Sequence, residues 1–98
     1  MIDIQVRGES GDVIARATCG LQWTEELAGL DSATYPMLCG LLPYADAMFN
    51  HRQTEMLLRE VDRLPAGSVL DNVQRAEIRR LCETVDDGSH RYLWFVGD

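Results

Sequence analysis

The sequence predicts an α+β fold, an antiparallel sheet of three or more strands (an N-terminal hairpin plus a C-terminal strand) with two helices packed on one face. Three observations predict it. Apolar and polar residues alternate near the N-terminus with the period of a strand. Two stretches in the second half repeat apolar residues at helical spacing. The C-terminal run is apolar on both faces. The order β-β, an irregular segment, α-α, β suits a sheet whose helices are segregated to one side. The 98 residues suffice for a single domain, 1–98, and one core, and 46% apolar with 26% charged residues is a globular balance.

Ile2, Ile4 and Val6 alternate with Asp3, Gln5 and Arg7, which gives a strand with one buried face. Turn chemistry at Gly8-Glu9-Ser10-Gly11 and a second run from Asp12 to Thr18 complete a hairpin. Residues 19–49 are irregular: Thr24-Glu25-Glu26-Leu27 suggests a short helical turn, and Tyr35-Pro36 and Leu42-Pro43 force extended or turn conformations. A loop this long inside a compact domain is uncommon unless it packs or functions.

Asn50 and Gln53 have the form of a capping box, so a helix begins there. It puts Thr54, Leu57, Leu58, Val61 and Leu64 on its inner side and Arg52, Glu55, Arg59, Asp62 and Arg63 outside. Pro65-Ala66-Gly67 breaks the chain. Ser68 and Asp71 then read as a second capping box, opening a helix that runs to about Val85 with Leu70, Val73, Ile78, Leu81, Cys82 and Val85 inward. Gly88 suits the left-handed residue that commonly follows a helix, and Arg91 or His90 can offset Asp86 and Asp87 at its C-terminal end. Arg91 to Val96 reads as an inner strand covered on both sides, with Trp94 joining Leu57, Val61, Ile78 and Leu81 in the core. Because two helices cover one face only, the 20–49 segment, with Leu21 and Trp23, or a second subunit is expected to cover the other.

The charge is unevenly placed. All nine basic residues are Arg, and none lies between Arg16 and Arg52, where Glu25, Glu26, Asp31 and Asp46 stand unopposed; they account for more than half of the net charge of −7. Such a surface repels phosphate, so neither nucleic acid nor an anionic membrane is expected as a partner. No apolar run approaches the roughly 20 residues that cross a bilayer, and the first residues lack the basic and apolar regions of a signal peptide. A cytoplasmic protein is expected. Cys19, Cys39 and Cys82 are odd in number without ligand-like spacing, so they read as reduced thiols rather than disulfides or a zinc site.

Residues able to carry chemistry are few. His51 with Asp46 has the makings of a base and its orienting carboxylate, but a first-turn His beside an N-cap ordinarily faces solvent. The thiolate of Cys39 is disfavoured in the most acidic third of the chain. His51, His90, Cys82, Asp86 and Asp87 show no metal-binding spacing, and the glycines form no phosphate loop. No catalytic residue, metal or cofactor is assigned. Met48, Phe49 and Met56 share a face if the helix extends back to Asp46. They either meet the folded 20–49 segment or form a docking surface rimmed by acids.

The run Tyr35-Pro36-Met37-Leu38, Pro43-Tyr44-Ala45-Asp46, Phe49-Asn50 and Gln53, with Tyr92 to Asp98, resembles small actinobacterial proteins of unassigned function. The resemblance implies a compact cytoplasmic bacterial protein and supplies no catalytic residues. The function expected is therefore a protein-interaction module rather than an enzyme. It would be a small acidic protein, immunity- or antitoxin-like or an accessory subunit, that binds a basic protein through Trp23, Glu25, Glu26, Asp31, Tyr44, Asp46, Met48 and Phe49. The alternative is a small-molecule-binding or enzymatic domain with a pocket between the sheet and the 20–49 segment, lined by Trp23, Tyr44, Trp94 and His51.

Overall fold

The computed structural model describes residues 1–97; Asp98, the last residue of the C-terminal run, lies outside them. The elements in chain order are β1 (Asp3–Gly8), β2 (Val13–Arg16), α1 (Glu25–Ala28), β3 (Ala47–Phe49), α2 (His51–Arg63), α3 (Asn72–Asp86) and β4 (Arg91–Val96). The fold is α+β, with one antiparallel sheet in the order β2-β1-β4-β3. The hairpin turns through Gly11, which takes the positive φ of 91° that glycine adopts without strain.

β4 pairs along its whole length with β1, from Asp3 opposite Val96 to Gly8 opposite Arg91. On its other side it pairs with β3, Met48 facing Trp94. It is an inner strand because both its edges are occupied. The fourth strand, β3, escaped the sequence reading: at three residues it is too short to show alternation, and the helical pattern of α2 runs up to it. The helix therefore does not extend back to Asp46. The Asn50 side chain accepts from the Gln53 amide at 2.9 Å, the Gln53 side chain accepts from the Asn50 amide, and α2 starts at His51.

α3 is capped by Asp71 and Gln74, not by Ser68 and Asp71. Ser68 instead donates to the carbonyl of Pro65 within the preceding turn. The shift turns Val73 outward, 61% exposed, while Ile78, Leu81, Cys82 and Val85 are buried as their spacing requires. The left-handed residue after α3 is His90, φ 57°, rather than Gly88. Arg91 donates to the Thr84 carbonyl at 2.8 Å and so places a cation at the helix's C-terminal end.

One core cluster joins Ile2, Ile4 and Val6 of the first strand region, Leu93 and Phe95 of β4, Leu57 and Val61 of α2, and Ile78 and Leu81 of α3. Phe49 meets Phe95 edge-on, with ring centroids 5.6 Å apart. The parity of β4 sends Leu93 and Phe95 inward, so Trp94, expected in this core, lies on the opposite face with Tyr92 and Val96. The 20–46 segment also departs from expectation. Leu21, Leu27, Leu38 and Leu41 are buried in the same cluster, so the segment closes the helix side of the sheet instead of its other face.

The physical reason is Glu60, which is 2% exposed on the inner side of α2. Its carboxylate accepts from the Met37 amide at 3.1 Å and the Leu38 amide at 3.0 Å, fastening the segment to the helix. Tyr35 adds a hydrogen bond to the Arg63 carbonyl and Trp23 one to the Leu41 carbonyl. Glu60→Ala should strand two amide donors and cost about 1–3 kcal/mol for each one left buried without a partner. Glu60→Gln, which keeps one acceptor oxygen, should cost less. Urea unfolding of the two variants measures the difference, and equal stabilities would refute the clamp.

Candidate functional site

The 20–46 segment is built from local turns held to the helices. Thr24 caps α1 by accepting from the Leu27 amide at 3.1 Å. Asp31 accepts from the Thr34 hydroxyl at 2.7 Å, and this bond first, then the Ala33 amide, lowers its carboxyl below the ordinary range and keeps it ionised. The Glu26 carboxylate accepts from the Val69 amide at 2.7 Å. That contact ties α1 to the loop between α2 and α3, where Val69 holds a positive φ of 64° that a β-branched residue adopts only under external constraint.

The eight residues expected to bind a partner do not form one patch. Phe49 is buried in the core, and Trp23 packs against it with its indole N–H committed to Leu41. Glu25 and Glu26 stand on α1, Glu26 serving the α2–α3 loop, and Asp31 stands on the turn after it. Tyr44, Asp46 and Met48 do come together, on the chain running into β3 at the free edge of the sheet. Asp46 accepts from the Gly97 amide at 3.0 Å, and a side chain at Gly97 would collide with the backbone of Ala45. Tyr44 is 86% exposed and Met48 49% exposed, with Leu42, which the sequence reading did not single out, also exposed beside them.

The electrostatics of the segment are one-sided. All four acids are exposed, and among the described residues none takes part in an ion pair. Four arginines elsewhere are committed: Arg16 to Asp3, Arg79 to Asp62, Arg80 to Glu77, and Arg75 to the carbonyls of Leu64, Pro65, Ser68 and Leu70. Asp31 is the least isolated of the four, since Arg63 donates to the Thr34 carbonyl on the same turn.

The pairing proposed for His51 is different in the structure. Its Nδ1 lies 2.7 Å from Asp86 and its Nε2 3.4 Å from Glu55, so it links the start of α2 to the end of α3, far in the chain from Asp46. His51, Trp23, Tyr44 and Trp94 do not line a common pocket: one joins two helix ends, one packs on the core, one is in solvent and one lies on the outer sheet face. Open grooves lie elsewhere, one of about 400 Å³ lined by residues including Met1, Thr18, Gly20 and Val96, and one of about 490 Å³ beside Val73, Ala76 and Arg80. Among the described residues no group of three or more His, Cys, Asp or Glu is placed to hold a metal ion, and no helix is long and apolar enough to cross a membrane.

Two inward carboxylates, Glu60 and Glu77, went unassigned in the sequence. The available signal was spacing: each is an acid on the apolar stripe of its helix, Glu60 beside Leu57 and Val61, Glu77 beside Ile78 and Leu81. Glu77 accepts from Arg80 at 2.7 Å and from the amide of Thr18 at 2.8 Å, as well as from the Thr18 hydroxyl. Led by the Arg80 hydrogen bond, these lower its carboxyl from 4.5 to about 2. Comparison with protein-family models, curated proteins and solved structures returns no match for this chain.

Two outcomes follow. A carboxyl depressed in the folded state adds stability above its unfolded value, and that stability is lost as pH falls through the folded one. The stability difference between wild type and Glu77→Gln should therefore be constant above about pH 5 and shrink from there down to about pH 2. A constant difference across that window in denaturant titrations would show that Glu77 is not held this way. Among the thiols, burial pushes Cys82 up to about 12, whereas Cys19 is exposed. Alkylation of native protein should modify Cys19 readily and reach Cys82 only after unfolding. Mass spectrometry of the labelled peptides reads the order.

Proposed function

We propose that this protein is a non-enzymatic protein-interaction module, a small acidic domain that binds a basic protein partner. The observation that carries the reading is the stretch between Arg16 and Arg52, which presents four exposed acids and no Lys or Arg. The exposed apolar residues beside Asp46 add contact area. Leu42, Tyr44 and Met48 lie within seven positions on the approach to the β3 edge, and an exposed aromatic with Met is the composition of an interface anchor.

In this reading Glu25, Glu26, Asp31 and Asp46 steer the encounter, while Tyr44 and Met48 hold the complex once formed. Trp23 and Phe49 support the surface from within and do not touch the partner. A cytoplasmic immunity- or antitoxin-like protein, or an accessory subunit of a larger assembly, would work this way. The resemblance to small actinobacterial proteins fits a bacterial setting. The absence of a basic surface over 17–51 argues against nucleic acid and anionic membrane as ligands.

The test begins with recovery of a partner from host lysate, followed by association kinetics across a salt series. Replacing Glu25, Glu26, Asp31 and Asp46 together by Gln or Asn keeps the acceptor oxygens that serve Val69, Thr34 and Gly97, so the fold should persist. Association should slow by about tenfold or more at low salt, and the wild-type rate should fall as salt rises. Tyr44→Ala should instead speed dissociation, costing about 1–2 kcal/mol of affinity. A rate indifferent both to salt and to the four substitutions overturns the docking surface and favours a small-molecule site.

A further inference from the structure

Helix α2 carries three acids and three arginines, and the fold separates them. Each acid is drawn away to a partner. Glu55, at the i, i+4 spacing that would suit Arg59, lies 3.4 Å from Nε2 of His51 instead. Glu60 is buried on the Met37 and Leu38 amides, and Asp62 pairs with Arg79 of α3. The arginines are left without acids. Among the described residues none of Arg52, Arg59 and Arg63 takes part in an ion pair; Arg63 reaches the Thr34 carbonyl at 3.5 Å.

These arginines also line up. At 3.6 residues per turn Arg52, Met56, Arg59 and Arg63 fall within an arc of about 60°, a stripe about 16 Å long. All four are exposed, Met56 at 41%. A groove of about 210 Å³ lies between the C-terminal part of the stripe and the turn at 33–36, lined by residues including Thr34, Pro36, Met56, Arg59 and Arg63. Glu60 lines it too, but at 2% exposure its carboxylate is turned into the amides it serves.

We propose that this stripe is a second docking surface, opposite in sign to the acidic one, and that it takes an acidic helix of a partner protein. Guanidinium groups hold carboxylates bidentately, and Met56 among them offers an apolar contact of the kind interfaces favour. The spacing selects a helix. Arg52 to Arg59 rises about 10 Å and Arg59 to Arg63 about 6 Å, and a helix laid along the stripe repeats those rises with acids at i, i+7 and i+11, or at i, i+4 and i+11 running the other way. An extended strand repeats a face only every 6–7 Å or so and cannot match the longer step. Among the described residues no helix of this chain carries three acids at either spacing, so the occupant is a different protein. The net charge of −7 opposes every anion at a distance, but that field is screened beyond roughly 8 Å at physiological salt, so the occupant's charge must stop where the stripe stops. Three carboxylates on a helix do so. A nucleic acid carries its phosphates onward past Glu55 and past Asp31, which holds Thr34 at the groove.

Titration of the isotope-labelled full chain with two helical peptides of Ala and Gln tests this, one with Glu at i, i+7 and i+11 and Leu at i+4, the other with Glu at i, i+4 and i+11 and Leu at i+7. At least one should shift the amides of Arg52 to Arg63 and of Thr34, and the same peptide with Gln in place of Glu should bind about tenfold more weakly or not at all. Arg59→Glu with Arg63→Glu should weaken binding by about tenfold or more while circular dichroism shows an intact fold. Arg52→Gln, remote from the turn, should weaken it by a smaller factor. No binding of either peptide, shifts elsewhere on the chain, or an affinity untouched by these substitutions overturns the proposal, as does tighter binding of an oligothymidine than of the peptides. Replacing Glu25, Glu26, Asp31 and Asp46 should leave peptide binding undiminished, so failure of the acidic docking surface and failure of this one are told apart.

Discussion

The carboxylate of Glu60 sets how the chain closes on itself. A charged group at the centre of an apolar helix stripe is tolerable only when hydrogen bonds replace its water, and the amides of Met37 and Leu38 do that. Through this contact a run with little regular structure becomes a wall of the core, carrying Leu38 and Leu41 into the cluster beside Leu57. Glu77 makes a second clamp on α3 by holding Thr18 at the end of the hairpin. Each clamp joins a helix to a segment distant in the chain that has few backbone partners of its own.

Because the clamps draw the irregular segment to the helix side, the two faces of the sheet have different fates. Ile2, Ile4, Val6, Leu93 and Phe95 are buried under helices and segment together. Trp94, Tyr92 and Val96 face outward beside Met48 and the β1 polar row of Asp3, Gln5 and Arg7. Arg7 stacks on Trp94, and the row of side-chain hydrogen bonds on β1 runs beside it. The acids of the segment, in turn, are presented at the surface because its apolar residues point inward. An acid-rich segment surface and an apolar sheet face are thus two consequences of one packing decision, and Met48 lies at the β3 edge of the sheet.

The sequence by itself determined the strand parity of β1, the capping box at Asn50 and Gln53, the inward stripe of α2, that of α3 from Ile78 onward, and the inner position of β4. All of these are local patterns: alternation, helical spacing and a cap written within four residues. It also located the one-sided charge, since that is a property of composition along the chain. Only the tertiary structure decided which face of the sheet the 20–46 segment covers, that Asp71 rather than Ser68 caps α3, that a three-residue strand precedes α2, and that His51 meets Asp86 and not Asp46. Each of these turns on a partner distant in the chain or on a competition between adjacent caps and turns, and neither leaves a period to read. Glu60 combines the two cases. Its place on the apolar stripe was written in the sequence, but its burial depends on amides more than twenty residues away, and only the fold brings those within reach.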